Sequence, residues 1–517
     1  MSQYKEYVVT LKSMEGIDQF YIDMESLGGL GATPDRPVDC ACRRPISRNT
    51  HYWLTTEEAE VLKTDERVLA VELTPEELGF MKVLHYTQTE NYWDKSSTAL
   101  SLHKNWGLLR CVLGNQISGW GSDINVNQSG TINVTSSGIN VDVIIIDGSL
   151  NSNHPEFSGR FIQYNWFQHN LEVLGTPNST YVYTDYDNHG THVGGTATGN
   201  TQGWARNANI YSIDFNVPHS FDFVRSFHRN KSINPNTGRK NPTIINASWG
   251  WGTTLISLSA LNYRGSFYPL TYENLAMAGV IVWTDNVTDW VAIPVQNTSV
   301  NTDASEAINE GIIIVGSSGN DSYKIDNPGG LDYNNYLVSD TLNYYYHRGS
   351  SPNSTPGVIS VGAISSKSNE EKAVFSNCGP RINIFAPGQN IISSTQGNAE
   401  PGWTFVNDPR DSNFKLAKQD GTSMASPQVC GVLACTLEQY PSMTPSQALE
   451  YITHYAKVGQ ITETHGGYMD FTDLQSSQNR YLHYNKERPD NGVTYPRQNK
   501  WIRPTSGVLY PRPRKFS

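Results

Sequence analysis

Short, mostly apolar runs recur through the middle of the chain. They are Val141 to Ile146 (interrupted only by Asp142), Thr243 to Ala247, Ile312 to Val315 and Val358 to Val361. Each is rich in β-branched residues, bounded by Gly, Asn, Asp or Ser, and lacks strict alternation. That pattern predicts buried strands of a parallel sheet, covered on both faces. Two later stretches have helical character. One begins at Met424 and runs through Val429, Val432, Leu433 and Ala434; the other spans Pro441 to Ala456, with Leu449, Ile452 and Tyr455 on one face. The first 75 residues follow a different rule. Tyr7 to Lys12 and Asp65 to Leu73 read as strands. Thr55 to Lys63 reads as a helix with a threonine cap and acids in its first turn. A small α+β unit therefore precedes a large α/β one.

Candidate chemistry sits at the ends of these elements. In Gly421-Thr422-Ser423-Met424-Ala425-Ser426-Pro427, Ser423 falls at a helix start, where the dipole favours developing negative charge. Gly421 allows a tight turn, and Pro427 is expected inside the first helical turn, where its missing N–H has no partner to lose. A serine becomes a nucleophile only with a base to take its proton and donors to hold the oxyanion. Asp147 closes the Val141 run at the carboxyl edge of the sheet, where α/β proteins place their sites. Asp187-Asn188-His189-Gly190-Thr191-His192 offers the base. His189 and His192, three apart, also match a metal-binding pair on one helical face, so a zinc hydrolase is an alternative.

These three segments, in the order Asp, His, Ser, resemble the subtilisin-like serine proteases, the subtilases. The resemblance covers roughly residues 100–470. It implies a three-layer α/β/α fold with a mainly parallel central sheet, preceded by a ferredoxin-like propeptide domain. It also implies peptide-bond hydrolysis through an acyl-enzyme, with Ser423 as nucleophile, His189 as base and Asp147 as its orienting acid. The strand ending in Gly316-Ser317-Ser318-Gly319-Asn320 is similar to the family's oxyanion strand, so Asn320 is expected to donate to the oxyanion. Thr243 to Gly250 resembles the substrate-binding strand. By that likeness Ser248, Trp249 and Gly250 form one wall of the specificity pocket, and Gly316, Ser317, Ser318 and Gly319 the other. Trp249 and Trp251 either roof the pocket or pack in the core. The sequence departs from the family at Asp147-Gly148-Ser149, where the hydroxyl residue and glycine are exchanged.

The implied layout is residues 1–75 as propeptide and intramolecular inhibitor, and 76–104 as a linker containing a self-cleavage site. The catalytic domain is 105–475, with an insertion at 251–302, and 476–517 form a Tyr-, Pro- and Arg-rich tail. No cofactor is expected. Calcium is frequent in the family, but no ligand set is evident. The partner is a polypeptide substrate.

A net charge of −11 argues against nucleic acid, and no apolar run is long enough for a membrane span. The N-terminus lacks a secretory leader pattern, so a cytoplasmic or virion-associated location is expected. The six cysteines show no zinc spacing and are expected as free thiols. The tail repeats Gly492 to Arg497 as Gly507 to Arg512, with Tyr-Pro-Arg closing each. With the missing leader and the N-terminal unit, this resembles the subtilase-like proteins of tailed bacteriophages. An alternative function is thus a virion structural protein that keeps the fold with weak or no activity, assembling through its tail.

Overall fold

The computed structural model describes residues 4–26, 36–74, 105–116 and 136–484, except 184–185, 285–288, 368, 399, 401–402, 404 and 464–470. It also describes the backbone of 81–84, 501–502 and 510–511.

The N-terminal unit runs β1 (Lys5–Leu11), α1 (Ile17–Glu25), β2 (Cys40–Arg43), β3 (Asn49–Leu54), α2 (Thr56–Leu62) and β4 (Val68–Leu73). The sheet order is β2-β3-β1-β4, antiparallel throughout, which is the split βαβ arrangement. α2 begins where the sequence reading puts it, because Thr55 and Glu58 cap each other's backbone N–H. α1 carries no such signal: its N-cap is Gly16, with no side-chain cap. Its Phe20 and Met24 join Val9, Tyr52, Leu54 and Leu62 in a core separate from the main one.

The unit docks onto two helices of the larger domain, Ser220–Asn230 and Thr298–Asn309. Arg44 is fully buried there, with Nε 3.0 Å from Asp222 and Nη2 2.7 Å from Asp303. Arg48 pairs with Glu306 at 3.0 Å, and Asn49 Nδ2 donates to Asp303 at 2.9 Å. Glu72 accepts from the backbone N–H of Thr298, at 2.9 Å, so it supplies negative charge to that helix start.

The larger domain is built on an eight-stranded sheet. From one edge the order is Lys457–Val458, Arg480–Tyr481, Ile384–Pro387, Ile359–Ile364, Ile313–Ser317, β8 (Thr243–Ala247), β6 (Asp142–Asp147) and β7 (Asn209–Asp214). All neighbours are parallel except the first pair. β6 and β8 are buried at every residue, as their mostly apolar patterns require. Helices Asn188–Thr198 and Thr422–Gln439 pack on each other over the sheet.

Three regions differ from the sequence expectation. Within the proposed linker, Met81–Leu84 forms β5, antiparallel to β9 (Trp249–Leu255), with Leu84 opposite Trp249 and Val83 opposite Gly250. Its order comes from that partner strand rather than from its own pattern. The remainder of 76–104 up to residue 104 lies outside the described residues. The 251–302 insertion is largely sheet: Asp289–Pro294 pairs with β9 on the side away from β5, and Leu258–Tyr263 joins a second antiparallel sheet. The domain also runs past 475. Arg480–Tyr481 sits in the central sheet, and Tyr484 packs on Trp204 with ring centroids 5.5 Å apart. Of the tail beyond, Trp501–Ile502 pairs with Tyr510–Pro511.

Candidate active site

Asp147 ends β6, and His189 lies in the first turn of helix Asn188–Thr198. Asp187 caps that helix by accepting from Gly190 N at 2.8 Å. The helix start comes so close to the turn after β6 that a Cβ on Gly190 would lie 1.9 Å from the Gly148 carbonyl oxygen. A Cβ on Gly148 would meet the Asp187 side chain at 2.4 Å. This explains the exchanged Gly148-Ser149 order: the residue next to Asp147 has no room for a side chain. The Ser149 hydroxyl is directed to Asp214, at 3.3 Å.

His189 Nδ1 lies 2.7 Å from Asp147 Oδ1, and both residues are buried. A carboxylate only accepts, so Nδ1 carries the proton and Nε2 is the basic nitrogen. Gly148 N donates to the same carboxylate oxygen at 2.8 Å. Burial opposes charging of the imidazole, but the Asp147 carboxylate outweighs it, aided by Asp187 and Glu400, and the His189 pKa is raised. Burial pushes Asp147 up while His189 pulls it back.

His192 does not join His189 as a ligand pair. Its Nε2 donates to the carbonyls of Ile391 (3.0 Å) and Ala417 (3.1 Å), and burial lowers its pKa to about 3. Among the described residues, two groups bring three acidic or imidazole ligand atoms together. One is Asp147, Asp187 and His189. The other, Asp222, Asp303 and Glu306, is threaded by Arg44, Arg48 and Arg225.

Ser423 is the second residue of helix Thr422–Gln439. Pro427 lies a turn deeper in that helix than the first-turn expectation. A residue there would normally donate its N–H to the Ser423 carbonyl. The Ser248 hydroxyl replaces that donor, at 3.0 Å from Ser423 O. Ser423 Oγ in turn donates to Ser248 O at 2.8 Å. Ser248 thus acts through its backbone and its hydroxyl together, and Asn246 Nδ2 and Ser426 Oγ complete its contacts, each at 2.8 Å.

Asn320 stands beside this helix start. Its Oδ1 accepts from Thr422 N and Thr422 Oγ1, both at 2.9 Å. Those two donors fix which end of the amide is oxygen. The opposite end, Nδ2, is buried and has no hydrogen-bond partner among the described residues. Gly319 N donates to Thr422 Oγ1 at 3.2 Å, which ties the asparagine strand to the serine helix.

The predicted pocket walls flank this point. Trp249 does not roof the pocket. Its indole N–H donates to Ile146 O at 2.9 Å, and its ring packs on Phe215 and Phe221. Trp249 and Trp251 line a cavity of about 650 Å³ at the seam with the N-terminal sheet, beside His51 and His219. The sequence reading missed Asn353. It lies in Ser351-Pro352-Asn353-Ser354-Thr355-Pro356-Gly357, a stretch that reads only as a turn. In space it reaches both walls. The six cysteines form no disulfide with one another, and Cys111, Cys378, Cys430 and Cys435 are buried.

The sequence model of the subtilase family matches residues 138–483. The chain is 25% identical over 330 residues to alkaline serine exoprotease A of Vibrio alginolyticus, covering 64% of this chain and 44% of that protein. It is 27% identical over 336 residues to an alkaline proteinase of Hapsidospora chrysogena, covering 64% and 60%. The chain spans about half the length of the curated relatives it matches. Fervidolysin of Fervidobacterium pennivorans, a keratinolytic enzyme related to subtilisin, shares the fold with a TM-score of 0.54 at 18% identity, over 95% of this chain and 62% of that one. No helix among the described residues is long and apolar enough to cross a membrane. With a match across two-thirds of its length, and with an aspartate–histidine pair and a serine-bearing helix start at one edge of a parallel sheet, the chain belongs to the subtilase family.

Proposed function

We propose that the protein is a serine endopeptidase. His189 Nε2 takes the Ser423 proton as Oγ bonds to the substrate carbonyl carbon, and Asp147 stabilises the imidazolium. Asn320 Nδ2 and the Ser423 N–H hold the oxyanion. Collapse of the tetrahedral intermediate breaks the C–N bond. His189 returns its proton to the leaving amine, and water then hydrolyses the acyl-enzyme. The observation that carries this reading is the buried Asp147–His189 hydrogen bond of 2.7 Å. His192, on the same helix, is bound only to backbone carbonyls, whereas His189 is bound to a carboxylate that would stabilise its charged form. The test is labelling with a fluorophosphonate, read by mass spectrometry. Ser423 is expected to take the label and Ser423→Ala to lose both label and proteolysis. Undiminished proteolysis by Ser423→Ala would overturn the mechanism.

The substrate is an extended polypeptide that adds to β9 as an edge strand. The pairing of β5 with β9 supports this, since it occupies that edge antiparallel. We assign the N-terminal unit the role of an inhibitor in cis, with β5 as its product-like end.

A further inference from the structure

Asn353 is buried between the two proposed walls of the specificity pocket, and its side-chain amide touches both. Nδ2 donates to Trp249 O at 2.6 Å. A carbonyl can only accept, so the amide is oriented with Oδ1 on the far side. That oxygen stands against the other wall, 2.2 Å from where a Cβ on Gly316 would be. Oδ1 is buried with no hydrogen-bond partner among the described residues. Buried acceptors are almost always satisfied, so an acceptor held open at a site calls for a donor from elsewhere.

The amide has little freedom to turn away. Arg381 clamps the surrounding backbone, with Nη2 donating to the carbonyls of Asn353 (3.3 Å), Thr355 (2.7 Å) and Val358 (3.0 Å). Ser354 N donates to Ser350 O at 2.8 Å, closing the turn on itself. Asn353 is 1% exposed. Oδ1 is therefore a fixed acceptor rather than a mobile surface group.

We propose that Asn353 sets the specificity of the reaction assigned above, on which this inference rests. Its Oδ1 accepts a hydrogen bond from the side chain of the residue that supplies the scissile carbonyl. Residues such as histidine and glutamine are preferred over apolar residues of the same shape, because an apolar side chain leaves the buried carbonyl without a donor.

The chain carries an independent indication. A peptide bound in the register of β5, continued one residue past Leu84, would set that next residue opposite Ser248, whose carbonyl accepts from Ser423. In the sequence this residue is His85, which lies outside the described residues and carries a ring N–H.

The test uses the protein left to process itself until Ser423 accepts fluorophosphonate, and quenched fluorescent peptides Met-Lys-Val-Leu-X-Tyr-Thr-Gln, the sequence of residues 81–88 with X varied. The informative pairs are Gln against Met and His against Phe, at about pH 8, where histidine is neutral. We expect kcat/KM for the donor-bearing member to be about tenfold or more above its apolar partner, the scale on which a buried polar group rejects an unmatched ligand. In Asn353→Leu that ratio should fall below about threefold or invert, the donor having lost its acceptor. Equal or better cleavage of the Met and Phe peptides by the unsubstituted protein, with Ser423 labelled by fluorophosphonate, would overturn the inference and leave the protease reading standing. If Asn353→Leu does not fold, the ratios in the unsubstituted protein decide alone. Failure to cut any peptide, with Ser423 unlabelled, would overturn both.

Discussion

Asn320 shows how one residue is committed to a role by its neighbours. Its oxygen takes two donors from Thr422, so its nitrogen is turned away from that residue, as the proposed oxyanion role requires. Loss of one such donor typically costs ~10²–10³ in turnover. Asn320→Ala is expected to fall in that range in kcat, with KM changed little, in peptide kinetics. A second residue-scale expectation concerns pH. The base acts only when His189 is neutral, and surrounding carboxylates raise its pKa. kcat/KM should therefore rise with pH on a limb whose midpoint lies above the ordinary histidine value of about 6.5. Glu400 is one of the charges that favour the imidazolium. Removing it in Glu400→Gln destabilises the charged form, so the limb should move to lower pH. A shift to higher pH would contradict this assignment of charges.

At the scale of elements, the site depends on how closely helix Asn188–Thr198 abuts the end of β6. Gly148 and Gly190 are the two points of contact, and neither tolerates a side chain. Gly190→Ala would drive a methyl into the Gly148 carbonyl, and the helix would have to move with His189 on it. A displacement near 1 Å is enough to cost about 10²-fold in rate. Overpacking of this kind also costs about 1–3 kcal/mol of stability. Peptide kinetics should show the first and urea unfolding the second. A fully active Gly190→Ala protein would mean that the helix start adjusts without moving the base. The serine helix depends on contacts of another kind. Ser248 replaces the N–H that Pro427 lacks, so the turn between β8 and β9 and the serine-bearing helix are joined at Ser423, the proposed nucleophile.

The whole molecule adds the relation between its two units. β5 lies antiparallel along the edge of β9, as the proposed substrate would. Active protein is expected to begin at Tyr86, with the cut after His85, and Ser423→Ala should remain full length. The N-terminal piece should stay bound after the cut as an inhibitor, and full activity should follow only when it is degraded. Its buried Arg44 pairs with Asp222 and Asp303, and removing one partner of such a pair costs about 3–5 kcal/mol. N-terminal sequencing together with size-exclusion chromatography tests both points. Fully active protein that still begins at Met1 would make this unit a permanent module rather than a removable inhibitor.

Much of the candidate site was legible in the chain itself. Asp147, His189, Asn320 and Ser423 stand at the ends of strongly patterned elements, and local chemistry dictates such ends: a β-branched run, an aspartate cap, a glycine turn before a helix. The parallel sheet followed from the same runs, because strands buried on both faces have no polar positions to alternate. Tertiary structure decided the rest. Met81–Leu84 has no pattern of its own and becomes a strand only against β9. Trp249 turns into the core because the Ile146 carbonyl offers its indole a partner there. Pro427 is tolerated because a serine 179 positions upstream supplies the missing donor, a distance obtained from the numbering of Ser248 and Pro427. Asn353, a turn residue by sequence, gains its open acceptor only when folding brings Trp249 and Gly316 to either side of it. In each case the deciding partner is remote along the chain, and only the fold determines which remote groups meet.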